Sequence, residues 1–273
     1  NQTYGEVKGS ENTRSAKWLI KLADLNQARP FLKRRGLTVV LELNGRVKAA
    51  INRRERDLFR RFPKIEWALP ALTYPGREAV LFEVVQRLAE AGYRRFQLNG
   101  LDQLDFFLAS GLSKSEFSLA TGPSLHAVNQ AALSFYAEAG FSSLHLSSEI
   151  DEATVNALKA LPGTSLSLTV FSFLPLLITR IPLSLDRRGQ TFISSRREEI
   201  IACKRDGMTV LVSATPLSLL SHLKYLRNPD IACKIIDLTY APSTFDLRRF
   251  YNPQSFRLDD LSTSPYNFSN KFA

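Results

Sequence analysis

The chain has 273 residues, 44% of them hydrophobic and 23% charged, the balance of a globular protein able to bury a core and not of a disordered or fibrous one. Two cysteines without CxxC spacing, Cys203 and Cys233, exclude a disulfide framework or a zinc ribbon and fit a reducing compartment. The net charge of +10 favours an anionic partner.

The first segment, residues 1–14, is polar and lacks the basic and apolar parts of a signal peptide, so it is expected to be a lead or linker of a cytoplasmic chain. The chain starts at Asn1, not Met, which suggests a piece of a longer parent chain, another portion of which would then be a partner. Residues 17–23 (KWLIKLA) alternate like a half-buried strand, and 25–35 read as a helix ending before Gly36. Residues 37–43 (LTVVLEL) repeat the strand, and 46–62 carry Val47, Ile51, Leu58 and Phe62 at near-helical spacing. From Phe31 to Lys64 there are eleven basic residues against three acidic ones. That run is either a solvated helix face or a phosphate-binding surface, with Arg53, Arg54, Arg60 and Arg61 the candidate nucleic-acid contacts.

Residues 65–72 continue as strand and 78–91 as helix, with an apolar stripe of Val80, Leu81, Val84, Val85 and Leu88 stopped by Gly92. Strands at 94–98, 116–120 and 143–147 follow, trailed by helices at 101–109, 125–139 and 152–161. Residues 165–173 make a seventh strand. After it, 175–197 hold prolines, glycine and charge without helical periodicity. This is an insertion, about residues 178–215, in which 191–194 and 209–213 form a small β unit. Residues 217–225 look helical, and 234–238 (KIIDL) make the eighth strand. No stretch reaches the roughly 20 apolar residues of a membrane helix, since Ser172 and Pro175 interrupt the longest one, so no membrane partner is expected.

Eight strands alternating with helices imply parallel pairing through right-handed crossovers. An open doubly wound sheet is the alternative. Closure into a TIM-like (β/α)8 barrel over residues 15–251, with a small β-rich insertion between strands 7 and 8, is the expectation. The tail, 252–273, is polar, contains Pro253 and Pro265, and reads as a linker or a loosely draped arm.

In a parallel barrel chemistry gathers where strands end. Those positions here are polar: Asp24, Asn44, Asn99, Thr121 to Ser124, Ser147 to Glu149, and Asp237 with Thr239. Ser124 and Asp151 suit helix capping. Glu149, a carboxylate just after a buried strand, suits acid–base work, and pairing with an arginine would explain it equally well. Of three histidines, His126 opens a helix near the rim, while His145 lies within a strand as a core or lumen residue. None has metal-ligand spacing, so no metal is expected. There is no GxSxG elbow and no Gly-rich nucleotide loop.

Several stretches are similar in order and spacing to the collagenase-like U32 peptidase family: YRRFQL (93–98), SLHAVNQAAL (124–133), LSSEI (146–150), PLLITR (175–180) and DRRGQTF (186–192). The likeness covers roughly 65–250 and is to the later of the two barrel-like portions of larger members. Leu125 and Asn129 fit the family's Leu-Asn, three-residue gap, Asn pattern, with His126 in place of the first asparagine. KIIDLTYAP resembles its last strand, with Asp237 at the position of a glutamate and the Gly-Arg that follows replaced. Some members hold an iron–sulfur cluster on four cysteines. Ile181 and Pro182 occupy the region of the first, and two cysteines cannot supply four ligands, so no cofactor is expected.

The resemblance implies hydroxylation of tRNA or rRNA bases, with RNA as partner. On that reading Glu149, Asp237 and His126 are the candidate catalytic groups, and Asn99, Asn129 and Arg180 bind a base or a small organic acid at the rim. The family name implies the alternative of a collagenase-like protease. The departures at His126, Ile181 and beyond Asp237 imply a third, a non-catalytic binding or scaffold barrel.

Overall fold

The computed structural model describes residues 16–51, 65–73, 76–109, 116–181, 190–252 and 261–269. Seven parallel strands follow one another around a barrel: β1 (Lys17–Leu22), β2 (Leu37–Glu42), β3 (Glu66–Ala68), β4 (Arg95–Leu98), β5 (Ser118–Thr121), β6 (Ser143–Leu146) and β7 (Ser165–Ser172). The eighth, β13 (Ile231–Asp237), pairs in parallel with both β7 and β1 and closes the ring. Closure rules out the open sheet and gives the expected (β/α)8 plan.

The side-chain alternation of the strands separates two environments. Ile20, Leu22, Val39, Leu41, Phe96, Leu98, Leu144 and Leu146 belong to the main core between sheet and helices. The opposite parity builds a second, small cluster of Leu19, Val40, Ala68 and Ile235. Two residues further along the same strands come Lys21, Glu42 and Asp237, all buried. The barrel interior is thus apolar at one level and charged at the next.

Helices α1 (Leu25–Leu32), α2 (residues 45–51), α3 (Glu78–Glu90), α4 (Asp105–Ala109), α5 (Gln130–Glu138) and α6 (Glu152–Ala157) alternate with the strands. In α3 the stripe Leu81, Val84, Val85 and Leu88 is buried as expected, but Val80 is exposed. Four helices are shorter than their sequence patterns, among them the one expected at 101–109, which is α-helical only over Asp105–Ala109 after a 3₁₀ turn at Asp102–Leu104. The first ends at Leu32, past the internal Pro30. The expected helix at 125–139 begins only at Gln130, because Pro123–Leu125 form a 3₁₀ turn and His126 adopts a left-handed conformation (φ 44°, ψ 56°). The helix at 152–161 stops at Ala157. Residues 217–225 are likewise not an α-helix: β12 (Leu217–Ser218) pairs antiparallel with β7, and Leu220–Tyr225 form a 3₁₀ helix.

The insertion is a four-stranded antiparallel sheet in the order β8-β11-β10-β9, from β8 (Pro175–Thr179), β9 (Gln190–Ile193), β10 (Glu199–Arg205) and β11 (Met208–Ser213). The β10–β11 hairpin turns at Asp206 and Gly207, both with positive φ (51° and 83°), the type I′ pattern that Asp-Gly favours. Where the sequence reads a draped arm, residues 261–269 pack on the domain. Ser264 bridges Leu217, Tyr266 donates to the Thr215 carbonyl at 3.1 Å, and Phe268 is buried.

Candidate functional site

At the C-terminal ends of the barrel strands lies a cavity of about 720 Å³, within the range of about 300–1,000 Å³ usual for small-molecule sites. Its polar lining comes from seven of the eight barrel strands or the loops after them: Lys21 (β1), Glu42 (β2), Asn99 (after β4), Ser124 and His126 (after β5), His145 and Glu149 (β6 and beyond), Thr169 and Ser172 (β7), and Asp237 (β13). Leu174, Leu176 and Ile178, entering and within β8, form an apolar wall, and Tyr266 and Asn267 reach in from the C-terminal segment.

Two ion pairs occupy the interior. Lys21 Nζ stands 3.6 Å from Asp237 Oδ2, and Arg205 Nη1 is 3.6 Å from Glu42 Oε1. Arg205 comes from the insertion hairpin and also lies over the Tyr240 ring, 4.7 Å from its centre. Burial raises the Glu42 carboxyl above the usual range, outweighing the opposing pull of Arg205 and Lys21. The Tyr240 hydroxyl is also raised, chiefly by burial. Formally the two cations balance the two carboxylates. His145 adds no charge near neutrality, because burial, reinforced by Lys21, depresses its imidazole to about 4. Its Nε2 is 2.9 Å from Thr169 Oγ1, and its backbone N–H donates to Thr121 Oγ1 at 2.6 Å. Among the described residues its Nδ1 has no partner.

Asn99 is held by neighbouring loops. Its amide Nδ2 donates to the Leu69 carbonyl at 2.7 Å, and its backbone N–H donates to Gln103 Oε1 at 2.8 Å. The amide oxygen Oδ1 lacks a partner among the described residues and lies hard against Gly122, where an added Cβ would come within 2.0 Å of it.

The hairpin carrying Arg205 is itself anchored on the barrel. Both carboxylate oxygens of Asp206 accept from the Gly45 N–H at 3.0 Å, at the start of α2, where the helix dipole favours negative charge. Asn44 completes that cap by accepting from Val47 N–H at 3.0 Å.

Asn99, His126, Glu149 and Asp237, four of the candidates read from the sequence, line this one cavity. Asp237 is bound to Lys21 and accepts from Thr239 N–H at 2.9 Å. Glu149 is exposed at the rim, its carbonyl accepting from Asn267 Nδ2 at 2.7 Å. His126 ends a 3₁₀ turn instead of opening a helix, since its left-handed backbone cannot begin one. Asn129 and Arg180 are outside the cavity lining. Asn129 caps α5, its Oδ1 accepting from Ala132 N–H at 2.9 Å, and Arg180 is exposed beyond β8. Ser124 lines the cavity, whereas Asp151 is the α6 cap. Arg53, Arg54, Arg60 and Arg61 lie outside the described residues.

Lys21, Glu42, Arg205 and Tyr240 were not among the sequence candidates. The signal for Lys21 and Glu42 is their strand parity with the lumen residues Leu19 and Val40.

Fold and site together define a closed parallel α/β barrel with a polar cavity at its mouth, whose buried carboxylates are held in ion pairs. Comparison with models of known families, with curated proteins and with solved structures gives no match. An iron–sulfur cluster of the kind some U32 members carry does not fit. Cys203 and Cys233 stand in different sheets, and no group of three or more His, Cys, Asp or Glu suited to a metal occurs among the described residues. No helix among the described residues is long and apolar enough to cross a membrane.

Proposed function

We propose that the barrel takes part in hydroxylation of RNA bases, as the resemblance to U32 relatives implies, and that its role is to hold a nucleobase in the mouth cavity. The observation that carries this reading is that the buried carboxylates of the wall are already engaged, Asp237 by Lys21 and Glu42 by Arg205 from the insertion hairpin, around a neutral His145. Burying a charged ligand beside pairs that already neutralise one another leaves its charge uncompensated, which costs several kcal/mol. A neutral ligand carrying both donors and acceptors avoids that cost, and a nucleobase edge is such a ligand. The same pairing, which leaves no free cation in the cavity lining among the described residues, disfavours a small organic acid, the other occupant the rim could be given. Asn99 Oδ1 and His145 Nδ1 leave hydrogen-bonding capacity in the wall, and the apolar β8 wall suits a base face. Glu149 and His126 at the rim are the groups placed to exchange protons with such a ligand.

A peptidase has less support, because Asp237 is engaged by Lys21 and, among the described residues, no serine or cysteine nucleophile hydrogen-bonded to a base lines the cavity. Calorimetric titration of the protein with nucleosides and, separately, with small dicarboxylates tests the reading. Binding of a nucleoside but not of the acids is expected; binding of the acids alone overturns it.

A further inference from the structure

A second cavity, of about 260 Å³, lies beside the mouth between α1 and α2. Its lining includes Asp24, Arg29 and Arg46. Asp24 directly follows the β1 end of the barrel and Arg46 stands in the first turn of α2, so the cleft opens on the same rim as the larger cavity. Both arginines are exposed, and neither forms an ion pair among the described residues. The one carboxylate in the lining, Asp24, is turned to its own helix: Oδ1 accepts from Asn26 N–H at 2.7 Å and Gln27 N–H at 3.4 Å. The first N–H of α2 is taken by Asp206. These caps occupy the amides of Asn26, Gln27, Gly45 and, through Asn44, Val47, so the anion-binding groups of the cleft are chiefly the two guanidinium groups. Two guanidinium groups converging on one cleft favour phosphate, which they grip in bidentate fashion.

We propose that this cleft binds the phosphate backbone of single-stranded RNA, so that a base entering the mouth is held by its own strand across the first two βα loops. This rests on the nucleobase reading of the mouth. It assigns the backbone contact to Arg29, just before the basic stretch, and Arg46, within it. The strand would cross the rim, and Asp206 and the hairpin carrying Arg205 would border its path.

The test is the salt dependence of binding of a mixed-sequence single-stranded RNA to the full chain. Wild-type protein is compared with Arg29→Gln/Arg46→Gln and with Lys159→Gln/Arg227→Gln. The second pair removes the same charge from exposed positions before β7 and β13, at the opposite end of the barrel. With about 0.7 counterions released per phosphate contact, losing two contacts makes the slope of log affinity against log salt shallower by about 1.4. At 0.1 M salt that is a loss of roughly 25-fold if the affinities converge at 1 M. The control pair should keep the wild-type slope. An unchanged slope in the Arg29/Arg46 variant, an equal change in the control, or no RNA binding by the wild-type protein overturns the proposal. Nucleoside titration of the same variants separates the two readings. Retained nucleoside binding with reduced RNA binding supports both, and a lowered slope without any nucleoside binding keeps the cleft and removes the base from the mouth.

Discussion

Acidification should destabilise the protein through His145. Its imidazole is held at about 4 by burial and Lys21, with Asp237 opposing, against about 6.5 in an unfolded chain. The folded value is the lower, so below 6.5 the unfolded state binds the proton first. Stability is therefore full above about 6.5 and falls as pH drops towards 4. Between pH 7 and pH 5 the loss from this one group is about 2 kcal/mol, approaching about 3 kcal/mol below pH 4. Glu42 acts in the opposite sense. Its raised carboxyl stabilises the fold at low pH, and that contribution is lost as pH rises above 4.5. His145→Gln separates the two, because it removes the titration while keeping an amide to reach Thr169. Urea unfolding at pH 5 and pH 7 should show the wild type losing about 2 kcal/mol more than the variant over that interval. Equal pH dependence in the two proteins would refute a neutral, desolvated His145.

Lys21→Met should cost about 3 kcal/mol, because it strands the Asp237 carboxylate inside the barrel. Adding Asp237→Asn, which keeps an acceptor for Thr239 N–H, should restore most of it in a urea double-mutant cycle; strict additivity would show that the pair is not coupled. Gly122→Ala should destabilise by about 1–3 kcal/mol and abolish ligand binding at the mouth, since the new Cβ collides with Asn99 Oδ1 and lies 2.9 Å from the Leu98 carbonyl. A stable, binding-competent variant would contradict the packing described. Asp206→Asn keeps the hairpin's left-handed backbone but removes the charge at the α2 start. A loss of about 0.5–1 kcal/mol and faster hydrogen exchange at the Gly45 amide are expected, and unchanged exchange would argue against the anchor.

The barrel was legible because each repeat pairs a short apolar strand with an amphipathic stretch. KWLIKLA, LTVVLEL and KIIDL fall on β1, β2 and β13, and the missing helical period after Phe173 marked the insertion. Less visible were Lys21 and Glu42. A charge inside an alternating strand reads as solvent-facing unless that face is known to be a closed lumen, and closure depends on strands more than 200 residues apart pairing, as Lys21 with Asp237. Arg205 was hidden for a similar reason, since only the Asp206–Gly207 turn brings the hairpin to Gly45. Asn129 lies outside the cavity lining and caps α5, since the same side chain that suits a rim also suits a cap. The apolar pattern of 125–139 outruns its helix at the N-terminal end, because the 3₁₀ turn ending at Leu125 and the left-handed His126 keep the backbone from entering the helix before Gln130.

The central claim is that the mouth of this barrel receives an RNA base. Ultraviolet crosslinking of single-stranded RNA to the protein, with the attached peptides mapped by mass spectrometry, tests it most directly. Attachment should concentrate at His126, Tyr240 and Tyr266, which line the cavity, and should fall when a nucleoside competes. Attachment around Lys159 and Arg227 at the far end, or attachment at the mouth that a nucleoside leaves unchanged, would contradict it.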